Sequence, residues 1–194
     1  MKFLGAIFLA GTLLLHPTIA RADAAAPAGG DLLLDDFSGP AASNGQSWWS
    51  GCDSAQLGTT LAPQPFTHPK GSARIHGHLG KGVAPWPWAC MSLHMSQPDF
   101  RPYRALRFYA KGDGGHYRVQ ICRLAVKDFC FHQAYFTAPK DWTLVTIPLT
   151  HFDQPSDWGK SVPADFKDVD KLVFGTTITD TDYDFNISKL MLVK

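Results

Sequence analysis

The sequence predicts an all-β protein of antiparallel strands, arranged as a sandwich or a barrel. Short apolar or alternating runs return roughly every dozen residues and are separated by turn residues. The 14 prolines and 17 glycines interrupt the chain too often for long helices. All 17 acidic residues are aspartate, so glutamate, a good helix former, does not occur. These observations favour strands over helices along the whole chain.

About ten strands are expected, and nine of them can be placed. The clearest alternates Ile75 and Leu79 with His76 and His78, so that apolar and polar side chains leave opposite faces. Two histidines on one face are also a possible metal-binding pair, although solvated surface histidines are the expectation. No helical stretch for a parallel crossover separates the strands, so one antiparallel domain is expected over residues 31–194. The nine runs are residues 32–34, 73–79, 91–95, 106–110, 116–122, 131–137, 142–149, 171–177 and 185–193.

The N-terminal segment has the pattern of an export signal. Lys2 precedes an apolar run over residues 3–15, and Ala-Arg-Ala follows at residues 20–22. The run ends at His16-Pro17 and is too short for a membrane span, the alternative interpretation. We therefore expect a signal peptide at residues 1–22 and a flexible leader at residues 23–30. The mature protein is expected to be secreted or periplasmic, with no membrane span.

Four cysteines remain after this predicted cleavage, namely Cys52, Cys90, Cys122 and Cys130. An even number in an oxidising compartment predicts two disulfides, and four cysteines allow three pairings. Cys122 and Cys130 flank a possible hairpin connection, which favours joining them and leaves Cys52 to pair with Cys90. No CxxC or CxxH spacing occurs, so a structural zinc site is not expected.

Charge and motifs exclude several classes of function. The formal net charge is +1 and no block of like charge occurs, which argues against a nucleic-acid partner. The absence of glutamate excludes the HExxH zinc hydrolases and glycosidases that use a pair of glutamates. The sequence contains no G-x-S-x-G, P-loop or G-x-G-x-x-G motif. We expect neither an enzyme nor a bound cofactor.

Several segments in order carry a family resemblance. Leu-Asp-Asp-Phe stands at residues 34–37, and Trp-Pro-Trp-Ala at 86–89 leads to a leucine at 93. Phe-Tyr-Ala-Lys-Gly-Asp-Gly at 108–114 is followed by Tyr-Arg-Val-Gln at 117–120. Further segments are the tryptophan-to-Ile-Pro-Leu run at 142–149, Gln-Pro at 154–155, Trp-Gly-Lys at 158–160 and Asp-Val-Asp-Lys-Leu at 168–172. The set resembles the complex I intermediate-associated protein 30 family and the related family 11 carbohydrate-binding modules.

This resemblance implies a galactose-binding-like jelly-roll sandwich that binds or assembles without catalytic residues. Related modules often hold a structural calcium between the opening Asp pair and an Asp-Asp on the last strand, where this chain has Ser188-Lys189. We expect calcium to be weak or absent, with Lys189 paired to Asp35 or Asp36. The alternative is a calcium ion held by Asp36, backbone carbonyls and Ser188.

The resemblance also implies a concave outer sheet face as the ligand site. Strand alternation directs Arg118 and Gln120 outward, and both supply donors for sugar hydroxyls. Flat aromatic faces bind the apolar side of a sugar ring, although the tryptophans of the loops could instead be buried plugs. The predicted ligand-binding residues are Trp86, Trp88, His94, Arg118, Gln120, His132 and Trp158.

Three functions remain open from the sequence. The leading one is a secreted, non-catalytic module that binds carbohydrate or a similar polar ligand on this face. The alternative is an exported assembly or accessory factor that docks on a larger protein complex. The third is a glycan-processing enzyme with a minimal active site.

Overall fold

The computed structural model describes residues 30–39, 47–52, 71–80, 87–96 and 98–194. The predicted signal peptide and all but the last residue of the predicted leader lie outside the described residues. Ten strands form two antiparallel five-stranded sheets, so the predicted β-sandwich is confirmed. The helical structure of the described part is one 3-10 turn, Leu149–His151. None of the described helical structure is long and apolar enough to span a membrane.

Sheet I has the strand order β1-β10-β5-β8, with β3 also paired to β10. The long β10 makes this branching possible, because its first half pairs with β3 and its last residues pair with β1. The strands of sheet I are β1 Leu32–Asp35, β3 Ala73–Leu79, β5 Ala105–Gly112, β8 Thr143–Pro148 and β10 Thr181–Val193.

Sheet II has the order β2-β4-β9-β6-β7, and its outward side contains the candidate functional site. The first of its strands in chain order, β2, was not among the runs placed from the sequence. The strands of sheet II are β2 Ser47–Cys52, β4 Ala89–His94, β6 His116–Arg123, β7 His132–Thr137 and β9 Val169–Thr176.

An aromatic core joins the two sheets. Phe108 of sheet I packs edge-to-face against Phe136 and Phe174 of sheet II, with ring centroids 5.1 and 5.3 Å apart. Phe185 of β10 contacts Phe136 at 5.9 Å. All four rings are buried. Rings of this size contribute most of the apolar area that folding removes from water, so they fix the two sheets face to face.

Two aspartates from the recognised segments hold the ends of strands. Asp35 is fully buried, and its carboxylate accepts hydrogen bonds from the backbone N–H of Phe37 and the indole N–H of Trp48, both at 2.7 Å. Asp113, in the turn after β5, accepts from the N–H of Gly115 at 2.7 Å and from the hydroxyl of Tyr117 at 2.6 Å. Carboxylates therefore replace missing backbone partners where the chain changes direction.

Candidate functional site

Strand alternation gives sheet II an outward surface that is distinct from the core. On β6, Tyr117, Val119 and Ile121 belong to the main core, so the residues between them leave the opposite side. On β4, the core residues are Ala89, Met91 and Leu93. The outward directions expected for His94, Arg118 and Gln120 are therefore the ones found.

The strand register arranges these outward side chains in three rows across the sheet. Together with Trp88, which directly precedes β4, we call them the outer face. The first row consists of Cys90, Gly175, Arg118 and Tyr135. The second consists of Trp49, Ser92, Val173, Gln120 and Gln133. The third consists of His94, Lys171 and Cys122.

Two tryptophans form the aromatic part of the outer face. The rings of Trp49 and Trp88 lie 6.5 Å apart between centroids, with 41° between their planes. Trp49 is 50% exposed, and Trp88 packs partly against the small cluster of Cys90, Cys122 and Val173. A side chain at Gly51 would overlap the indole of Trp49, so this glycine leaves room for the ring to lie along β2. The pair presents a broad apolar surface beside the polar rows.

Arg118 is the central cation of the outer face. Its Nε atom is buried and has no hydrogen-bond partner. No carboxylate of the described residues forms a salt bridge with it, and burial lowers the pKa of its guanidinium. The charge interactions with Tyr135, Cys90 and Cys122 act in the opposite direction. The site thus holds a partly dehydrated cation with one donor, Nε, that has no hydrogen-bond partner.

Side-chain amides continue the outer face toward the sheet edge, where Gln133 is half-buried and Gln120 is 8% exposed. Gln120 donates to the amide oxygen of Gln133 at 3.5 Å, and Gln133 donates to the hydroxyl of Tyr135 at 3.1 Å. On β4, Ser92 Oγ and His94 Nε2 are 3.4 Å apart. Amides and hydroxyls both donate and accept, which suits the hydroxyl groups of a polyol ligand.

Two of the predicted ligand residues, His132 and Trp158, are not part of the outer face. Trp86 lies outside the described residues. His132 is a correction: β7 directs it inward, where it is 3% exposed and its ring packs on Phe166 at 5.2 Å. Burial lowers the pKa of His132, and the positive charge of Arg123 lowers it further by a smaller amount. Trp158 lies on the loop after the 3-10 turn and lines a separate cavity of about 400 Å³ with His132.

The predicted disulfides are not found, since no disulfide bond joins the four cysteines, all of which lie in the described residues. Cys52 stands across from Ala89 and packs toward the main core, whereas Cys90 leaves the opposite face of sheet II. Cys122 lies on the outer face, while Cys130 Sγ is directed at the carbonyl of Trp158, 3.1 Å away. Neither expected pair has side chains that face each other, as a disulfide requires. Burial raises the pKa of Cys90 to about 11 and that of Cys122 to about 12.

The calcium candidates are engaged in other contacts. Asp36 accepts a hydrogen bond from the N–H of Ser38 at 2.9 Å, and Ser188 donates to the carbonyl of Gly71 at 2.5 Å. Lys189 does not pair with either opening aspartate, because its ammonium lies 5.9 Å from the ring centroid of Tyr109. The described residues contain no group of three or more His, Cys, Asp or Glu side chains that could hold a metal ion. Weak or absent calcium binding stays a prediction.

Sequence reasoning missed seven members of the outer face, and local sequence signals could have found three of them. The seven are Trp49, Cys90, Gln133, Tyr135, Lys171, Val173 and Gly175. Trp49 belongs to a strand that was not placed, although Trp48 and Trp49 at neighbouring positions must face opposite sides of any strand. Gln133 and Tyr135 alternate with buried residues on a strand that was placed, but with the wrong side assigned to the core. The outward position of Lys171 follows from the register of β9 with β4, which places it across from His94.

Comparison with known proteins identifies the family. The sequence profile of Complex I intermediate-associated protein 30 (CIA30) matches residues 36–188. The chain belongs to the CIA30 family. A comparison with curated proteins finds no match.

Solved structures with a similar fold include carbohydrate-binding modules. One is the family 11 module of a cellulosomal cellulase of Clostridium thermocellum, with a TM-score of 0.62 and 15% identity over 84% of this chain and 94% of that one. A family 11 module from the same organism, in complex with a beta-1,3-1,4-mixed-linked tetrasaccharide, has a TM-score of 0.61 and 16% identity over 84% and 95%. A family 29 module has a TM-score of 0.50 and 16% identity over 84% and 87%. This member of the CIA30 family therefore has a carbohydrate-binding-module fold.

Proposed function

We propose that the protein is a non-catalytic glycan-binding module that uses the outer face of sheet II. The observation that carries this proposal is the convergence of Trp49 and Trp88 with Arg118, Gln120 and Gln133 on one sheet face. Sugar rings stack on flat aromatic surfaces, and their hydroxyls bind guanidinium and amide groups. Such a surface binds its ligand without cleaving it, and the export pattern at the N-terminus supports a secreted or periplasmic location.

A glycan array with matched tryptophan variants tests the proposal. We expect Trp49→Ala and Trp88→Ala each to abolish binding to the glycans that the parent protein retains. Trp142→Ala is the control, because Trp142 has a similar exposure of 45% and directly precedes β8 on sheet I. Gly51→Ala is a fourth variant, expected to weaken binding because its methyl group displaces the Trp49 ring without removing it. Equal loss in all variants, or no retained glycan, contradicts the proposal.

Docking on a larger protein complex is the second candidate function. The family match supports it, and so does Phe129, which is 74% exposed with φ of 65°. Asp128 holds this turn by accepting from the N–H groups of Cys130 and Lys160. A strained, exposed aromatic residue is a common feature of protein-binding loops. Site-specific cross-linking to one defined complex, lost in Phe129→Ser and kept in Trp88→Ala, would favour docking over glycan binding.

A further inference from the structure

The described residues of the outer face carry positive charge without a balancing carboxylate. Arg118 and Lys171 are both part of it, and His94 stands across from Lys171. None of the described residues that form the outer face is acidic. The nearest carboxylate along β9 is Asp170, whose charge raises the pKa of Cys122 at the margin of the face. Donors therefore outnumber anionic acceptors on this surface.

Other arginines of the described chain show what Arg118 lacks. Arg123 is 2% exposed and binds Asp168 at 2.6 Å, with further contacts to Asp165 and the carbonyl of Pro163. Arg74 forms a bidentate pair with Asp184 at 2.8 and 2.6 Å. Arg118 is also partly buried, yet no carboxylate of the described residues pairs with it. A cation that loses water without gaining an anion is unfavourable unless a ligand supplies the missing charge.

We propose, on the basis of the glycan-binding function above, that the ligand is an acidic glycan. A carboxylate or a sulfate ester of one sugar unit binds the guanidinium of Arg118, whose planar fork matches two oxygen atoms at once. Neighbouring sugar rings stack on Trp49 and Trp88. Lys171 lies one strand away and four residues along the sheet, about 14 Å by strand geometry, where it meets a second anionic unit.

Calorimetric titration with pairs of oligosaccharides that differ only in charge tests this inference. The carboxylate pair is tetragalacturonate and its full methyl ester, and the sulfate pair is a carrageenan oligosaccharide and its desulfated form. The mixed-linked β-glucan tetrasaccharide serves as a neutral reference. We expect one acidic member to bind at least about tenfold more tightly than its neutral partner, and to weaken as NaCl is raised. The pair that shows this difference identifies the anion.

Two arginine variants assign the effect to the outer face. Arg118→Gln is expected to lose most of the preference for the acidic member and to keep only the part that Lys171 supplies. Arg118→Lys keeps the charge but recovers little of the preference because it lacks the fork. Arg107→Gln is the control, since Arg107 lies on β5 of sheet I with a hydrogen bond to Thr146. Near-ultraviolet circular dichroism confirms that each variant is folded. If a variant fails to fold, the titration of the parent protein alone still tests the preference for an acidic ligand.

The outcomes separate the two proposals. Equal binding of acidic and neutral members, lost in Trp88→Ala, overturns the acidic ligand and leaves glycan binding intact. A preference for acidic members that is undiminished in Arg118→Gln overturns the assignment to Arg118. If no oligosaccharide of either kind binds, both proposals fail together.

Discussion

The indole N–H of Trp48 donates to the buried carboxylate of Asp35 at 2.7 Å and thereby ties the start of sheet II to the end of the first strand of sheet I. The same carboxylate accepts from the N–H of Phe37, whose ring packs on Trp48 at 5.6 Å. One side chain thus fixes both the turn after β1 and the inward position of Trp48. Its effect extends to the outer face, because the inward position of Trp48 sets the outward position of Trp49.

Asp35→Asn is expected to lower the free energy of unfolding by about 2 kcal/mol. The amide keeps one acceptor oxygen, so one of the two N–H groups, on Phe37 or Trp48, faces an NH₂ group instead. Urea unfolding followed by tryptophan fluorescence measures the change. Asp141→Asn is the control, since Asp141 is exposed at the start of β8. Equal stability of the Asp35→Asn variant and the parent would contradict the buried role.

A double-mutant cycle tests the turn after β5. Asp113 binds Gly115 and the Tyr117 hydroxyl, and it also accepts from the N–H of Asp184 at 3.1 Å. We expect Asp113→Ala to cost about 2 kcal/mol and Tyr117→Phe about 1 kcal/mol. The double variant should lose less than the sum, with a coupling of about 1 kcal/mol, because both single variants break the same hydrogen bond. Additive losses in urea unfolding would show that the two side chains act independently.

Arg123→Met is expected to destabilise the protein by about 3 kcal/mol, because the variant leaves Asp165 and Asp168 without their buried cation. Arg101→Met is the matched control. Arg101 binds Asp99 with equally short distances but is exposed, so solvent screens the pair and the unfolding midpoint should stay unchanged. Chemical denaturation of both variants measures the contrast. A similar loss in the two variants would mean that burial does not decide the strength of these pairs.

Stability is expected to fall as the pH rises from 9 to 10 because of the buried thiols. A cysteine ordinarily ionises near pH 9.0, whereas burial raises the pKa of Cys90 to about 11 and that of Cys122 to about 12. Above pH 9 the folded state therefore binds more protons than the unfolded state. The stabilisation is complete below pH 9 and is lost as the pH rises, by about 1 kcal/mol for each thiol over this interval.

Urea unfolding at several pH values tests this dependence. Cys122→Ala should reduce the loss, since it removes one of the thiols whose pKa burial raises, a group that also includes Cys130. Ser92→Ala, on the same face, keeps all of these thiols and should retain the full pH dependence. The interval ends at pH 10 because the ionisation of Tyr183 also affects stability above that pH. Burial raises the pKa of Tyr183 from an ordinary value of 10.0 to about 12. A Cys122→Ala variant with the parent's pH dependence would rule out this explanation.

The outer face shows where prediction from the sequence succeeds. On β6, alternation of Tyr117, Val119 and Ile121 with polar residues is unambiguous, because one set is uniformly apolar. The outward positions of Arg118 and Gln120 therefore follow from the sequence alone. The strand β2 was missed because its six residues, SWWSGC, place tryptophan on both faces and show no apolar alternation.

On β7, by contrast, alternation defines the two sets but not which of them is buried. His132, Ala134 and Phe136 form one set and Phe131, Gln133 and Tyr135 the other, and each contains an aromatic residue. Packing on Phe166 decides in favour of the first set. The cysteines present the same difficulty, because a disulfide depends on the directions of two side chains in paired strands. Register sets those directions, and the register of β2 with β4 sends Cys52 and Cys90 to opposite faces.

The sequence by itself determined the all-β class, which side chains of the strongly alternating strands face the core, and the family to which the chain belongs. These properties depend on local residue order, since the period of a strand and the turns between strands are set by near neighbours. Tertiary structure decided which strands lie side by side, and so brought Trp49, Arg118 and Gln133 from three distant segments onto one surface. It also left Arg118 without a counterion among the described residues, because strand pairing placed glycine, thiol and phenol groups around it instead of a carboxylate.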